Sequence, residues 1–122
     1  MPRILLVDDS KVSREVLKVY LAADGLELLE AQNGEDAVGM IRQHRPNLVI
    51  ADMRMPKLDG PGLCRRVGED PEIAATPIVI LTSMKDEASR NACLSAGARE
   101  MLAKPVDVAA LKAAVERYLK AP

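Results

Sequence analysis

Apolar positions along this chain fall into two alternating patterns, short unbroken runs and one-sided helical stripes. The clearest run is Leu48-Val49-Ile50-Ala51, which leads straight into Asp52. A continuous apolar run of this length predicts a strand buried on both faces, the kind found in parallel sheets. Residues 78–81 repeat the pattern and lead into Thr82-Ser83. Residues 3–7 form another short aliphatic strand, ending in Asp8-Asp9. A weaker strand is predicted over 26–31, and the shortest and least apolar over 100–103, ending in Lys104-Pro105.

Helical stripes lie between and after these runs. Ser10 is placed to cap a helix with Val12, Val16, Leu17, Tyr20 and Leu21 on one side, stopped by Asp24-Gly25. Asn33-Gly34 opens a second helix with Ala37, Val38 and Ile41 inward and Pro46 past its end. Pro61 suits the first turn of a third, running to about Val67. Residues 69–77 read as a loop with two prolines. A fourth helix over 86–96 shows a small apolar face (Ala88, Ala92, Ala96) closed by Gly97. Asp107 caps the last, with Val108, Leu111, Val115, Tyr118 and Leu119 on one stripe.

Strictly alternating strands and helices predict an α/β fold, a parallel sheet with helices on both faces, because each crossover is right-handed and must cover the sheet. No repeat, linker or low-complexity tract interrupts the chain, so one domain over 1–122 is expected. A length of 122 residues with 48% hydrophobic residues supports a real core. With no Phe or Trp, and only Tyr20 and Tyr118, that core must be aliphatic. Seventeen basic and eighteen acidic residues leave a net charge of -1, which provides no footprint for direct nucleic-acid binding or for an anionic membrane. No apolar run approaches membrane-span length. The first strand begins almost at Met1 and leaves no room for a targeting segment, so a cytoplasmic protein is expected. Cys64 and Cys93 lie in predicted helices without metal-like spacing and read as reduced, part-buried thiols.

In a parallel sheet every strand delivers its carboxyl end to the same edge, where open α/β sheets bind ligands. Here that edge receives Asp8 and Asp9, Asp52, Thr82 and Lys104. Alone, each has an ordinary reading: an Asp-Asp pair as a turn or cap, a strand-terminal Thr or a Lys-Pro as nothing in particular. Together, in this order and at these strand ends, they are a poor match to chance. Three crowded carboxylates repel one another unless a cation is present. Magnesium resolves this, since it takes one or two carboxylates, keeps waters and accepts phosphate oxygens. Lys104 is a compact cation able to hold Asp52 and then a transferred phosphate, and Thr82 brings a hydroxyl donor. Phosphoryl transfer needs mainly positioning and charge neutralisation, so an acyl-phosphate acceptor fits this set.

These residues carry a resemblance. The chain resembles the receiver domain of bacterial two-component response regulators, the CheY-like fold, over essentially all its length. The carriers are Leu5-Leu6-Val7-Asp8-Asp9-Ser10, Asp52-Met53-Arg54-Met55-Pro56 with Asp59-Gly60, Ile80-Leu81-Thr82-Ser83, Ser95-Ala96-Gly97-Ala98 and Ala103-Lys104-Pro105. The resemblance implies a (βα)5 flavodoxin-like, three-layer sandwich with sheet order 2-1-3-4-5. It implies Asp52 as phosphoacceptor and Mg²⁺ as cofactor, with Asp9 a direct ligand, Asp8 one acting largely through water, and the backbone carbonyl of Arg54 a further contact. It makes Thr82 the switch hydroxyl and Lys104 the phosphate-binding lysine, with a cis Lys104-Pro105 bond. The donor implied is a phosphohistidine on a sensor histidine kinase or histidine phosphotransfer protein. The output implied is a downstream target protein or a fused output domain. Such a receiver phosphorylates and dephosphorylates itself, and is a two-state switch rather than a turnover enzyme.

Three positions depart from the family pattern. An aromatic ring is usual three residues before the lysine, and Met101 stands there, so output runs through a softer side chain or through the Ser83 loop after Thr82. Arg54 and Met84, each two residues beyond a site residue, are expected to set the phosphoryl lifetime. Two competing readings use the same residues. An aspartyl-phosphate phosphatase or phosphotransferase would want a second acid two residues after Asp52, and Arg54 occupies that place. A phosphorylation-independent interaction module would not need an intact acidic site.

Overall fold

The computed structural model describes residues 2–22, 25–83 and 86–119. Its elements alternate in chain order as β1 (Arg3–Val7), α1 (Lys11–Leu21), β2 (Glu27–Ala31), α2 (Gly34–His44), β3 (Leu48–Asp52), α3 (Gly60–Gly68), β4 (Ile78–Thr82), α4 (Glu87–Ser95), β5 (Glu100–Ala103) and α5 (Val108–Leu119). All pairings are parallel and the strand order is β2-β1-β3-β4-β5, the order the resemblance implies. Caps fall where expected: Ser10 accepts from the Ser13 amide, Asn33 from Asp36, and Asp107 from Ala109. Asp86 sits at the start of α4 without a side-chain capping bond.

Strand alternation divides the core into two layers, because successive side chains point to opposite faces. Leu5, Val7, Val49, Ala51, Ile78 and Ile80 pack with Ala37, Val38, Ile41, Leu63, Cys64 and Cys93, from α2, α3 and α4. Ile4, Leu6, Leu48, Ile50, Val79 and Leu81 pack with Leu17, Leu21, Leu111 and Val115, from α1 and α5. This explains the unbroken apolar runs, since both faces of β1, β3 and β4 are covered. Each fully buried Ile, Leu or Val contributes on the order of 2 kcal/mol of transfer free energy. Ile73, in the predicted loop between α3 and β4, is also buried. Cys64 and Cys93 are both free and buried, and burial pushes the Cys64 thiol up to about 12.

Two helix faces differ from the sequence reading. On α1 only Leu17 and Leu21 of the predicted stripe are buried, whereas Val12 is 74% exposed and Val16 42%. The stripe is wider than the sheet surface available to it, so its far edge faces solvent. On α4, Ala88 and Ala92 are exposed and Cys93 is the buried residue. Of the small face only Ala96 packs against the core, so α4 is thinly anchored. The Asp24 part of the α1 stop signal lies outside the described residues.

Candidate functional site

Backbone ladder bonds continue one residue past β1, β3 and β5 at the carboxyl edge. The Asp8 amide donates to the Ala31 carbonyl, Met53 to Leu81, and Lys104 to Thr82. The register sets Asp52 opposite Leu81 and Thr82 opposite Ala103. By alternation, Asp8, Asp52 and Lys104 follow the Ile4, Ile50 and Leu102 side of the sheet, towards α1 and α5. Thr82 follows Ile80 towards the other layer. The sheet thus brings together residues as far apart in sequence as Asp8 and Lys104.

One carboxylate oxygen from each of Asp8, Asp9 and Asp52 lies within 4.8 Å of the others. Lys104 Nζ is 2.6 Å from Asp52 Oδ1. Asp8 is 2% exposed. Its Oδ1 accepts from the Ser10 amide at 2.9 Å, while its buried Oδ2 has no hydrogen-bond partner. A buried carboxylate oxygen without a partner is costly. Desolvation raises the Asp8 pKa above 3.8; the Ser10 amide opposes this, and repulsion from Asp52 adds to it, partly offset by Lys104. Three converging carboxylates, one with an orphaned buried oxygen, are the donor set of a hard divalent cation, so the residues fit Mg²⁺.

The remaining site candidates surround this cluster. The Thr82 hydroxyl is buried and donates to Met53 Sδ at 3.1 Å. Met101, paired with Ile80, is half-buried and packs with Met53 and Met55 against the α2–α3–α4 layer. Arg54 and Ser83 are exposed, and Met84 lies outside the described residues. The Lys104–Pro105 peptide bond is cis. Sequence reading missed two contacts. Arg14 Nη1 donates to the Asp8 carbonyl at 2.6 Å and its Nε bonds Glu30, tying α1 to the acidic strand end. Met53 is the acceptor beneath Thr82. Neither was visible, because each depends on which helix turn or strand end faces the site. A further feature is a cleft of about 260 Å3 lined by Asp8, Val12, Val16, Tyr20, Lys104 and Val106, which joins the cluster to the exposed side of α1.

The family model for the response regulator receiver domain matches residues 4–116. The chain belongs to the response regulator receiver domain family. Protein PilH of Pseudomonas aeruginosa is 39% identical to this receiver over 107 residues, which are 88% of each chain. The probable transcriptional regulator ycf27 of Porphyridium aerugineum is 33% identical over 118 residues, 97% of this receiver and 48% of that protein. The receiver spans about half the length of the ycf27 relatives it matches. The crystal structure of Vibrio cholerae chemotaxis protein CheY4 superposes with a TM-score of 0.88 at 27% identity, covering 97% of this receiver and 98% of that chain. Among the described residues of the receiver, no helix is long and apolar enough to cross a membrane.

Proposed function

We propose that this receiver accepts a phosphoryl group on Asp52 from a phosphohistidine of a sensor histidine kinase or histidine phosphotransfer protein. The reading rests on one observation: the Asp52 carboxylate held by Lys104 beside Asp8 and Asp9, with an unpartnered Asp8 oxygen. Receiver domains typically bind Mg²⁺, and Asp8, Asp9, Asp52 and the Arg54 carbonyl would hold it. When bound, the cation neutralises charge on the transferring phosphoryl oxygens.

An Asp52 oxygen attacks phosphorus as the P–N bond to the donor imidazole breaks, and the electron pair leaves with the imidazole, which takes up a proton. Lys104 stays beside the new acyl phosphate and turns its ammonium to a phosphoryl oxygen. Thr82 exchanges Met53 Sδ for another phosphoryl oxygen, the stronger charged acceptor. This differential interaction biases the switch, and moving it from mostly off to mostly on takes several kcal/mol. Thinly anchored α4 and the half-buried Met101 beside it are the mobile elements, and β5 and α5 complete the changing face. Attack of water on phosphorus returns Asp52 and releases phosphate. The exposed Arg54 guanidinium, with Met84, sets that rate. The phosphodonor protein docks over Val12, Val16 and Val19, whose apolar patch runs into the cleft beside Lys104. The work is done in the cytoplasm, and the output is a target protein or a joined output domain, as in the longer relatives named as transcriptional regulators.

Incubation with acetyl phosphate and Mg²⁺ tests the reading. Stoichiometric labelling is expected for the wild type, and none for Asp52→Asn or with EDTA. Full labelling of Asp52→Asn would overturn the assignment.

A further inference from the structure

The loop between β3 and α3 carries Arg54 and is closed in three places. The Gly60 amide donates to the Met53 carbonyl at 2.9 Å, and the Leu58 amide to Pro56 at 2.8 Å around Lys57, whose φ is 68°. The third closure comes from a different part of the chain. The Gly34 amide, at the start of α2, donates to the Leu58 carbonyl at 3.2 Å. It is one of the first-turn amides that have no partner within their own helix. The approach is so close that a methyl group on Gly34 would overlap the Leu58 carbonyl oxygen and lie 2.7 Å from Leu58 Cβ and 2.9 Å from its carbonyl carbon. Two of these atoms are backbone, so no rotamer change relieves the overlap. Gly34 is itself held in place, because Asn33 caps α2 through the Asp36 amide at 2.8 Å. Elsewhere in α2 a methyl group on Gly39 would meet nothing within 4 Å.

We infer that Gly34 is a positioning residue for the metal site: its amide and its missing side chain set the depth of the β3–α3 loop, which carries the Arg54 carbonyl that would complete the proposed site. The inference rests on the reading of that cluster as a Mg²⁺ and phosphoryl site. None of the three acidic residues of the cluster lies on α2, and the Gly34 contact reaches the loop through the Leu58 backbone. Residues that orient a metal's ligands without touching it change affinity by about tenfold to a hundredfold when lost.

Calorimetric Mg²⁺ titration of wild type, Gly34→Ala and Gly39→Ala tests this, with thermal melts confirming that each is folded at the assay temperature. Gly34→Ala is expected to weaken Mg²⁺ binding by about tenfold or more. The half-saturating Mg²⁺ concentration for acetyl phosphate labelling should rise in step, while the rate at saturating Mg²⁺ is largely kept. Gly39→Ala leaves both unchanged. Should Gly34→Ala fail to fold, amide hydrogen exchange on the wild type decides, since coupling between two sites is reciprocal. Saturating Mg²⁺ should then slow exchange at the Gly34 amide. A folded Gly34→Ala with wild-type Mg²⁺ affinity overturns the inference, as does a Gly34 amide indifferent to Mg²⁺. If the wild type binds no Mg²⁺ and takes no label, the reading of the site fails and the inference falls with it.

Discussion

Replacing Asp8 by Asn should stabilise the metal-free protein and abolish its stabilisation by Mg²⁺. Asp8 is buried, and its Oδ2 lacks a partner. The substitution keeps the shape and keeps an oxygen to accept from the Ser10 amide. It removes a desolvated charge and the repulsion from Asp52, and presents an amide donor to the neighbouring carboxylates. A buried unsatisfied polar group costs about 1–3 kcal/mol, so at about 4 °C per kcal/mol Tm should rise by roughly 4–12 °C in EDTA. In the wild type, Mg²⁺ at about a hundredfold over Kd adds about 2.7 kcal/mol, which the variant lacks. The folded pKa of Asp8 is raised above its unfolded value near 3.8 by desolvation. The native state therefore binds the extra proton, and this contribution to stability is full below that value and lost as pH rises through the folded pKa. The gap between the two proteins in EDTA should be smallest below about pH 4 and widen towards neutrality. Thermal melts by circular dichroism, with EDTA or Mg²⁺ across that range, provide the comparison. An Asp8→Asn protein less stable than wild type in EDTA at neutral pH would refute the reasoning, because it would make the buried carboxylate a net stabiliser.

Other outcomes follow from the same geometry. Arg54→Ala and Met84→Ala should each change the rate of phosphoryl hydrolysis after donor removal; if both stay within about twofold, roughly 0.4 kcal/mol of barrier, neither residue sets the lifetime. Val12→Asp with Val19→Asp should slow transfer from a phosphohistidine protein without slowing acetyl phosphate labelling, since the proposed docking patch would contact the donor protein and not the phosphoryl group; equal loss in both assays would place the effect in the site. Cys64, buried with a pKa near 12, should resist iodoacetamide in the native protein and react on unfolding, read by mass spectrometry.

Among the described residues, the five strands, the five helices, their order and the edge that gathers the acidic cluster were legible in the sequence, because burial on both faces leaves an unbroken apolar run and caps and turns are local. Asp8, Asp9, Asp52, Thr82 and Lys104 could be named before any contact was known, since each directly follows such a run. Contacts between elements were not legible. Val12 and Val16 read as members of the same stripe as Leu17 and Leu21, yet the structure leaves them exposed. Ala88 and Ala92 promised a packed face, yet α4 is turned so that Cys93 is the residue it buries. Periodicity gives a helix its apolar side but not its rotation on the sheet. The Asp52–Lys104 distance, the orphaned oxygen of Asp8, the thioether beneath Thr82 and the Gly34 amide on Leu58 all join segments far apart in sequence. Tertiary packing alone decided them, because the separation of two side chains is set by the crossovers and the register between them, and neither is written in the residues at either end.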